Sequence, residues 1–192
     1  MARRRTVFSK GGYYHIYNRG CNRQEIFHTE ENYLFLTRKI LDLAPEHSIG
    51  VIAYCLMPNH YHFLLKQEGD ESAGFVVQLI FNSYTKAFNA RYSRTGTLFE
   101  GPFKSIQVES REYLVHLCRY IHRNPLEAGL VTKPEHWRHS NFLECVGPHQ
   151  SGSTAGEFIT EHFANSIEYS KFVTEYRMQE PLFRSMRKYV FD

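Results

Sequence analysis

His60-Tyr61-His62 begins a short stretch, Tyr61 to Lys66, whose aromatic and apolar content predicts a strand. Residues two apart on a strand share a face, so both imidazoles project side by side. Two such nitrogens can hold a divalent cation and leave positions for a third protein ligand, water and substrate oxygens. Much further along, Tyr120 and Asn124 stand one helical turn apart in a segment, Arg111 to Asn124, with helical periodicity. On a helical wheel Tyr113, Leu114, Leu117, Cys118 and Ile121 form an apolar arc. Tyr120 and Asn124 sit at its edge, with His116 and Arg123 on the adjoining strip. A tyrosine nucleophile and an oxygen ligand would then reach one metal ion. Pro125 predicts that Asn124 lies in the last turn. Taken singly, an H-x-H pair or a tyrosine at a helix edge is more often a packing feature. The combination is what points to chemistry.

These side chains must be brought together by the elements that carry them. Tyr13 to Asn18 reads as a strand ended by Arg19-Gly20. Thr29 to Ala44 reads as a helix, with Tyr33, Leu34, Leu36, Ile40, Leu41 and Leu43 at helical spacing, Thr29 as cap and Pro45 as stop. Ile49 to Leu56 and Tyr61 to Lys66 form a hairpin turning at Met57-Pro58-Asn59. A second helix runs from Glu71 toward Tyr92, Gly96 to Pro102 is a loop, Lys104 to Glu109 is a fourth strand, and the tyrosine helix follows. The order β-α-β-β-α-β predicts an α+β ferredoxin-like sandwich, with the additional helix crossing the open face of the sheet. Past Val146 the composition shifts to Gly147-Pro148-His149-Gln150-Ser151-Gly152-Ser153. The expected organisation is a domain over residues 1–146, then a flexible segment and helical C-terminal extension over 147–192. The extension shows helical patterns around Phe158-Ile159-Phe163 and Tyr169-Phe172-Val173-Tyr176.

Composition narrows the class. With 42% hydrophobic and 22% charged residues the chain is globular. A net charge of +3 permits nucleic-acid binding without histone-like bias. Cys21, Cys55, Cys118 and Cys145 form no C-x-x-C pair, which argues against a cysteine zinc site and fits a reduced compartment. The basic start, Met1-Ala2-Arg3-Arg4-Arg5, lacks the apolar run of a secretion signal, and no apolar stretch suits a membrane span. A cytoplasmic location is the expectation. There is no G-x-x-x-x-G-K-[ST] loop for ATP.

Met57-Pro58-Asn59-His60-Tyr61-His62-Phe63-Leu64-Leu65, the loop Gly96-Thr97-Leu98-Phe99-Glu100-Gly101, and Arg119-Tyr120-Ile121-His122-Arg123-Asn124-Pro125-Leu126-Glu127-Ala128-Gly129 follow one another in this order. Together with Asn18-Arg19-Gly20, they resemble the single-tyrosine HUH transposases, and among them the REP-associated tyrosine transposases. The resemblance spans Tyr13 to Cys145. It implies a domain that binds folded-back single-stranded DNA and cleaves it with a divalent metal, Mg²⁺ or Mn²⁺. By position it makes His60, His62 and Asn124 the metal ligands and Tyr120 the nucleophile. Attack by Tyr120 would leave a 5′-phosphotyrosine and a free 3′-hydroxyl. The chemistry is consistent: a phenol of pKa about 10 needs a cation on the scissile phosphate to react near neutrality. Implied partners are hairpin-bearing single-stranded DNA and no membrane, with a monomer favoured over a homodimer.

For DNA contacts, Arg19, Arg23, Lys104, Arg119 and Arg123, with Lys86, Arg91 and Arg94, lie among aromatic residues, as a single-strand groove requires. Arg3-Arg4-Arg5 could serve as a basic arm. Two positions depart from the family pattern: Pro102 follows the glycine where a basic residue is usual, and His122 stands where an acidic residue is common. Two rival readings keep the fold. One is a non-catalytic, domesticated module that binds hairpins, and the other is a hydrolase in which His60 and His62 activate water.

Overall fold

A computed structural model of the chain describes residues 6–147 and 153–175. The strands are β1 (Tyr13–Arg19), β2 (Ile49–Met57), β3 (His60–Gln67) and β4 (Lys104–Val108). The helices are α1 (Glu30–Glu46), α2 (Ala73–Arg91), α3 (Arg111–Glu127), α4 (Phe142–Val146), α5 (Thr154–His162) and α6 (Ser166–Thr174). The sheet is four-stranded in the order β2-β3-β1-β4, and every neighbouring pair is antiparallel. This is the expected ferredoxin-like α+β sandwich with added helices. Arg3-Arg4-Arg5 and Tyr176 lie outside the described residues.

Alternation along β3 divides the protein into two cores. Tyr61, Phe63 and Leu65 face the core under α1 and α2, with Tyr14 and Ile16 of β1 and Leu36, Ile40, Val76, Ile80 and Tyr84 from the helices. Leu64 faces the opposite core, which α3, α4, α5 and α6 complete with Leu117, Ile121, Phe142, Phe158, Ile159, Tyr169 and Val173. His60 and His62 have the parity of Leu64, so the strand period delivers both imidazoles to the α3 side. A bulge between Val51 and Ala53 puts Ile52 and Ala53 in that same core.

Two helices run past the prolines expected to stop them. α1 continues to Glu46 with Pro45 in its last turn. The bond that Pro45 cannot donate would have gone to Leu41, which is exposed, so water can satisfy that carbonyl. α3 continues to Glu127 with Pro125 inside it, and Asn124 stands at the start of its last turn, as expected. The helix then closes in a Schellman motif: Gly129, at φ 69°, donates to Leu126 O and Leu130 donates to Pro125 O. From the C-terminal extension, Phe158, Ile159, Tyr169 and Val173 bury in the core beside α3. Of the segment read as flexible, residues 148–152 are outside the described part.

Candidate metal and tyrosine site

His60 follows the β2–β3 turn, and its ring is oriented by the residue before it. Asn59 Nδ2 donates to Arg23 O at 3.2 Å, which leaves Asn59 Oδ1 facing His60 Nδ1 at 2.7 Å. That oxygen is only an acceptor, so Nδ1 carries the proton and Nε2 keeps its lone pair. The carbonyl anchoring Asn59 belongs to a strained turn, Cys21–Arg23, with Asn22 and Arg23 at φ 55° and 60°. Gly20 opens this turn because a Cβ there would stand 2.1 Å from Gln24 O. Gly20 N bonds Asn59 O, and Ile26 and Phe27 N both bond Pro58 O, so the turn is fastened to the hairpin.

Asn124 meets His60 from the helix. Its Nδ2 donates to Tyr120 O at 3.3 Å, so its Oδ1 is the atom 3.2 Å from His60 Nε2. With His60 protonated on Nδ1, two lone-pair atoms face each other at that distance. Such a pair repels unless a cation draws both in, so the arrangement fits a metal ion.

His62 supplies a third donor. It is 1% exposed, its Nδ1 lies 3.2 Å from His15 Nε2, and its Nε2 is buried with no hydrogen-bond partner. In the tautomer in which His62 Nδ1–H donates to His15 Nε2, the His62 Nε2 lone pair is available as a ligand. Burial, reinforced by the neighbouring His60 and His15, holds the His62 pKa well below its ordinary value. Burial also lowers His60, outweighing the Asn124 contact that opposes it, and Arg19 adds to the lowering. Both rings are therefore neutral near pH 7, as ligands must be. Among the described residues no group of three or more His, Cys, Asp or Glu side chains gathers around a cation site. A carboxamide has to complete this one.

Tyr120 lies against the same histidine. Its ring packs edge-on to His62 with centroids 5.5 Å apart, and the His60 and His62 rings are 5.1 Å apart. Tyr120 is 3% exposed, whereas His60 is only partly buried, so the approach from solvent is on the His60 side. The structure thus brings His60, His62, Asn124 and Tyr120 of one chain together. Sequence reading missed His15 and took Asn59 only as a turn residue. The parity of His15 with Tyr17 on β1 was a visible signal, but the cross-strand register that brings it to His62 was not.

The basic residues divide into two groups. Arg23 and Lys104 are exposed, and Lys104 Nζ stands 5.9 Å from the Tyr17 ring centroid. Arg19 is half-buried and bonds Glu100 through Nε and Nη2 at 3.0 and 3.1 Å. Arg119 and Arg123 are instead buried against α6. Arg119 lies 4.2 Å over Phe172 and bonds His116 Nδ1 at 2.7 Å. Arg123 donates to Val173 O at 2.7 Å and to Glu127 Oε1 at 2.9 Å.

The chain belongs to the IS200-like transposase family, described as "Transposase IS200 like", whose pattern matches residues 8–124. Among solved structures, it resembles a REP-associated tyrosine transposase determined with a REP hairpin. That likeness has a TM-score of 0.65 and 22% identity, over 76% of this chain and 86% of that one. It also matches a structure described as a transposase from Deinococcus radiodurans R1, with a TM-score of 0.43 and 16% identity, over 64% of this chain and 96% of that one. No curated protein sequence matches the chain.

Proposed function

We propose that this protein is a strand transferase that cleaves and rejoins hairpin-bearing single-stranded DNA in DNA transposition or recombination, with Tyr120 as nucleophile. The observation that carries the reading is the contact of His60 Nε2 with Asn124 Oδ1 at 3.2 Å, together with a buried His62 Nε2 that has no hydrogen-bond partner, beside the Tyr120 ring. A divalent cation held by these three side chains, Mg²⁺ or Mn²⁺, supplies electrophilic activation of the scissile phosphate and stabilises developing charge. Two imidazole nitrogens with one amide oxygen suit Mn²⁺, and Mg²⁺ with additional water or phosphate oxygens.

The tyrosine does the covalent work. Its Oη forms a bond to phosphorus, the P–O3′ bond breaks, and the phenolic proton ends on the released 3′-hydroxyl. The phosphodiester energy is kept in the 5′-phosphotyrosine, and a later 3′-hydroxyl reverses the step. Burial keeps water from the ester. Tyr120 acts on the site of its own chain in this reading, because it packs on its own His62. In this reading the exposed Arg23 and Lys104, with Arg19, take backbone phosphates, while Arg119 and Arg123 hold the helix. The hairpin in the REP-associated structure supports the choice of substrate.

The test is incubation with hairpin-bearing single-stranded DNA and Mn²⁺, resolved on a denaturing gel. The wild type gives a covalent protein–DNA band, and Tyr120→Phe binds the DNA but gives none. A band from the mutant would remove Tyr120 from its role. Binding by the wild type with no band under either cation would leave only a hairpin-binding module.

A further inference from the structure

We propose that Tyr169, on the C-terminal helix α6, is a positioning residue for this reaction, setting the rotation of α3 and therefore the placement of Tyr120 and Asn124. The proposal rests on the reading of Tyr120 as nucleophile. The family match ends at residue 124, so α6 lies outside it.

The protons of a buried hydrogen-bond chain can be assigned one by one. Asn141 Nδ2 donates to Ile52 O at 3.0 Å, and Asn141 Oδ1 accepts from Tyr54 N at 2.7 Å. The amide orientation is thus fixed by the backbone of β2, at the bulge residue Ile52 and at Tyr54 just after it. His122 Nε2 lies 2.9 Å from Asn141 Oδ1 and must donate to it. In the neutral ring His122 Nδ1 then accepts, and its partner at 2.6 Å is the Tyr169 hydroxyl. That hydroxyl, having donated, accepts from Cys118 Sγ at 3.1 Å. Every link is satisfied in only one direction. Tyr169, His122 and Asn141 are each 0–1% exposed, so breaking a link leaves a polar atom without water.

The position of this chain on α3 gives it leverage. Cys118 and His122 form one row of the helix, Arg119 and Arg123 the next, and both rows are held by α6. Tyr120 and Asn124 form the following row, which faces the histidines. Asn141 ties the assembly to β2, and β2 pairs with β3 at Cys55↔His62. The sheet that carries His60 and His62 is therefore also the reference for the helix that carries Tyr120. Side-chain atoms lie roughly 6 Å from a helix axis, so a rotation of about 20° moves them by about 2 Å. A displacement of about 1 Å can cost ~100-fold in rate. The Tyr169 hydroxyl is one of the contacts that hold this rotation, and its loss is expected to reach the chemistry.

The experiment compares Tyr169→Phe, which keeps the ring in the core, with Ile159→Val, which thins the same core from α5. Three quantities are read at a temperature where all proteins are folded. They are affinity for hairpin DNA, the single-turnover rate of the covalent adduct at saturating DNA and Mn²⁺, and amide hydrogen exchange along α3 and β3. The expectation for Tyr169→Phe is unchanged affinity, a rate lower by about tenfold or more, and faster exchange over residues 118–124 with β3 protected. Ile159→Val keeps the wild-type rate. A wild-type rate in Tyr169→Phe, or an equal loss in the control, overturns the proposal. Should the wild type form no adduct, the reading of Tyr120 fails separately. Exchange then decides alone: unchanged protection over 118–124 overturns the proposal and selective loss there upholds it.

Discussion

His62 Nδ1 lies 3.2 Å from His15 Nε2 across the β1–β3 pair, so one candidate ligand is oriented by a third histidine that stands behind it. The Tyr17 ring packs beside both, with centroids 4.8 Å from His15 and 5.9 Å from His62. Removing the acceptor frees the His62 ring to take its other tautomer. His15→Phe is therefore expected to lower Mn²⁺ affinity by about 10–100-fold with the fold retained, and His15→Gln to recover part of it. Calorimetric titration of Mn²⁺ makes the check, and undiminished affinity in His15→Phe would refute the orienting role.

Asn59 performs the matching task for His60 through its Oδ1. Asn59→Ala removes the acceptor that selects the Nδ1–H tautomer, and it should weaken Mn²⁺ binding and slow adduct formation by about tenfold or more. Asn59→Asp keeps an acceptor for His60 but loses the donor to Arg23 O, so it should recover part of both losses. Equal losses in the two variants would mean that the turn, and not the tautomer, is what Asn59 supplies.

Acid should unfold the metal-free protein through its buried neutral histidines. Burial lowers the pKa of His122 to about 4 and that of His15 to about 3. Unfolded histidines take up protons near pH 6.5, so below that value the unfolded state binds more protons than the folded one. Stability is full above pH 6.5 and falls as pH drops; the His122 contribution, roughly 3 kcal/mol at most, is lost by about pH 4. Urea midpoints measured between pH 7 and 4 should fall in the wild type and fall less in His122→Gln. Parallel slopes in the two proteins would assign the acid sensitivity elsewhere.

What could be read in the sequence was what local periodicity encodes. The two-residue period of β3 placed His60 and His62 on one face, and the wheel of α3 placed Tyr120 beside Asn124. The structure joins those faces, with His60 on Asn124 and His62 on Tyr120. His15 and Asn59 were not legible, because their roles depend on strand register and on a carbonyl of a distant turn. Charge could not reveal that Arg119 and Arg123 are covered by α6, since that burial comes from packing about fifty residues downstream. Periodicity also overstated the core of α1, where Leu34 and Leu41 fit the helical pattern yet are 46% and 52% exposed. Pro125 was read as a stop because the Schellman closure at Gly129 lies beyond it.

The docking of α5 on the sheet depends on one glycine, and this gives a direct stability test. A Cβ on Gly50 of β2 would stand 2.5 Å from Thr154 Cγ2 and 2.8 Å from Thr154 Oγ1. Thr154 is the first residue of α5, directly after Ser153, whose Oγ accepts from Gly156 N at 3.0 Å. The threonine is held by a capped helix start and has little room to withdraw. Gly50→Ala should therefore destabilise the protein by about 1–3 kcal/mol through overpacking. Thr154→Ala removes both of the closest atoms and should cost little alone, yet it should relieve much of the Gly50→Ala loss. A double-mutant cycle in urea reads the coupling directly. Strictly additive effects would mean that α5 does not rest on β2 at this point in solution.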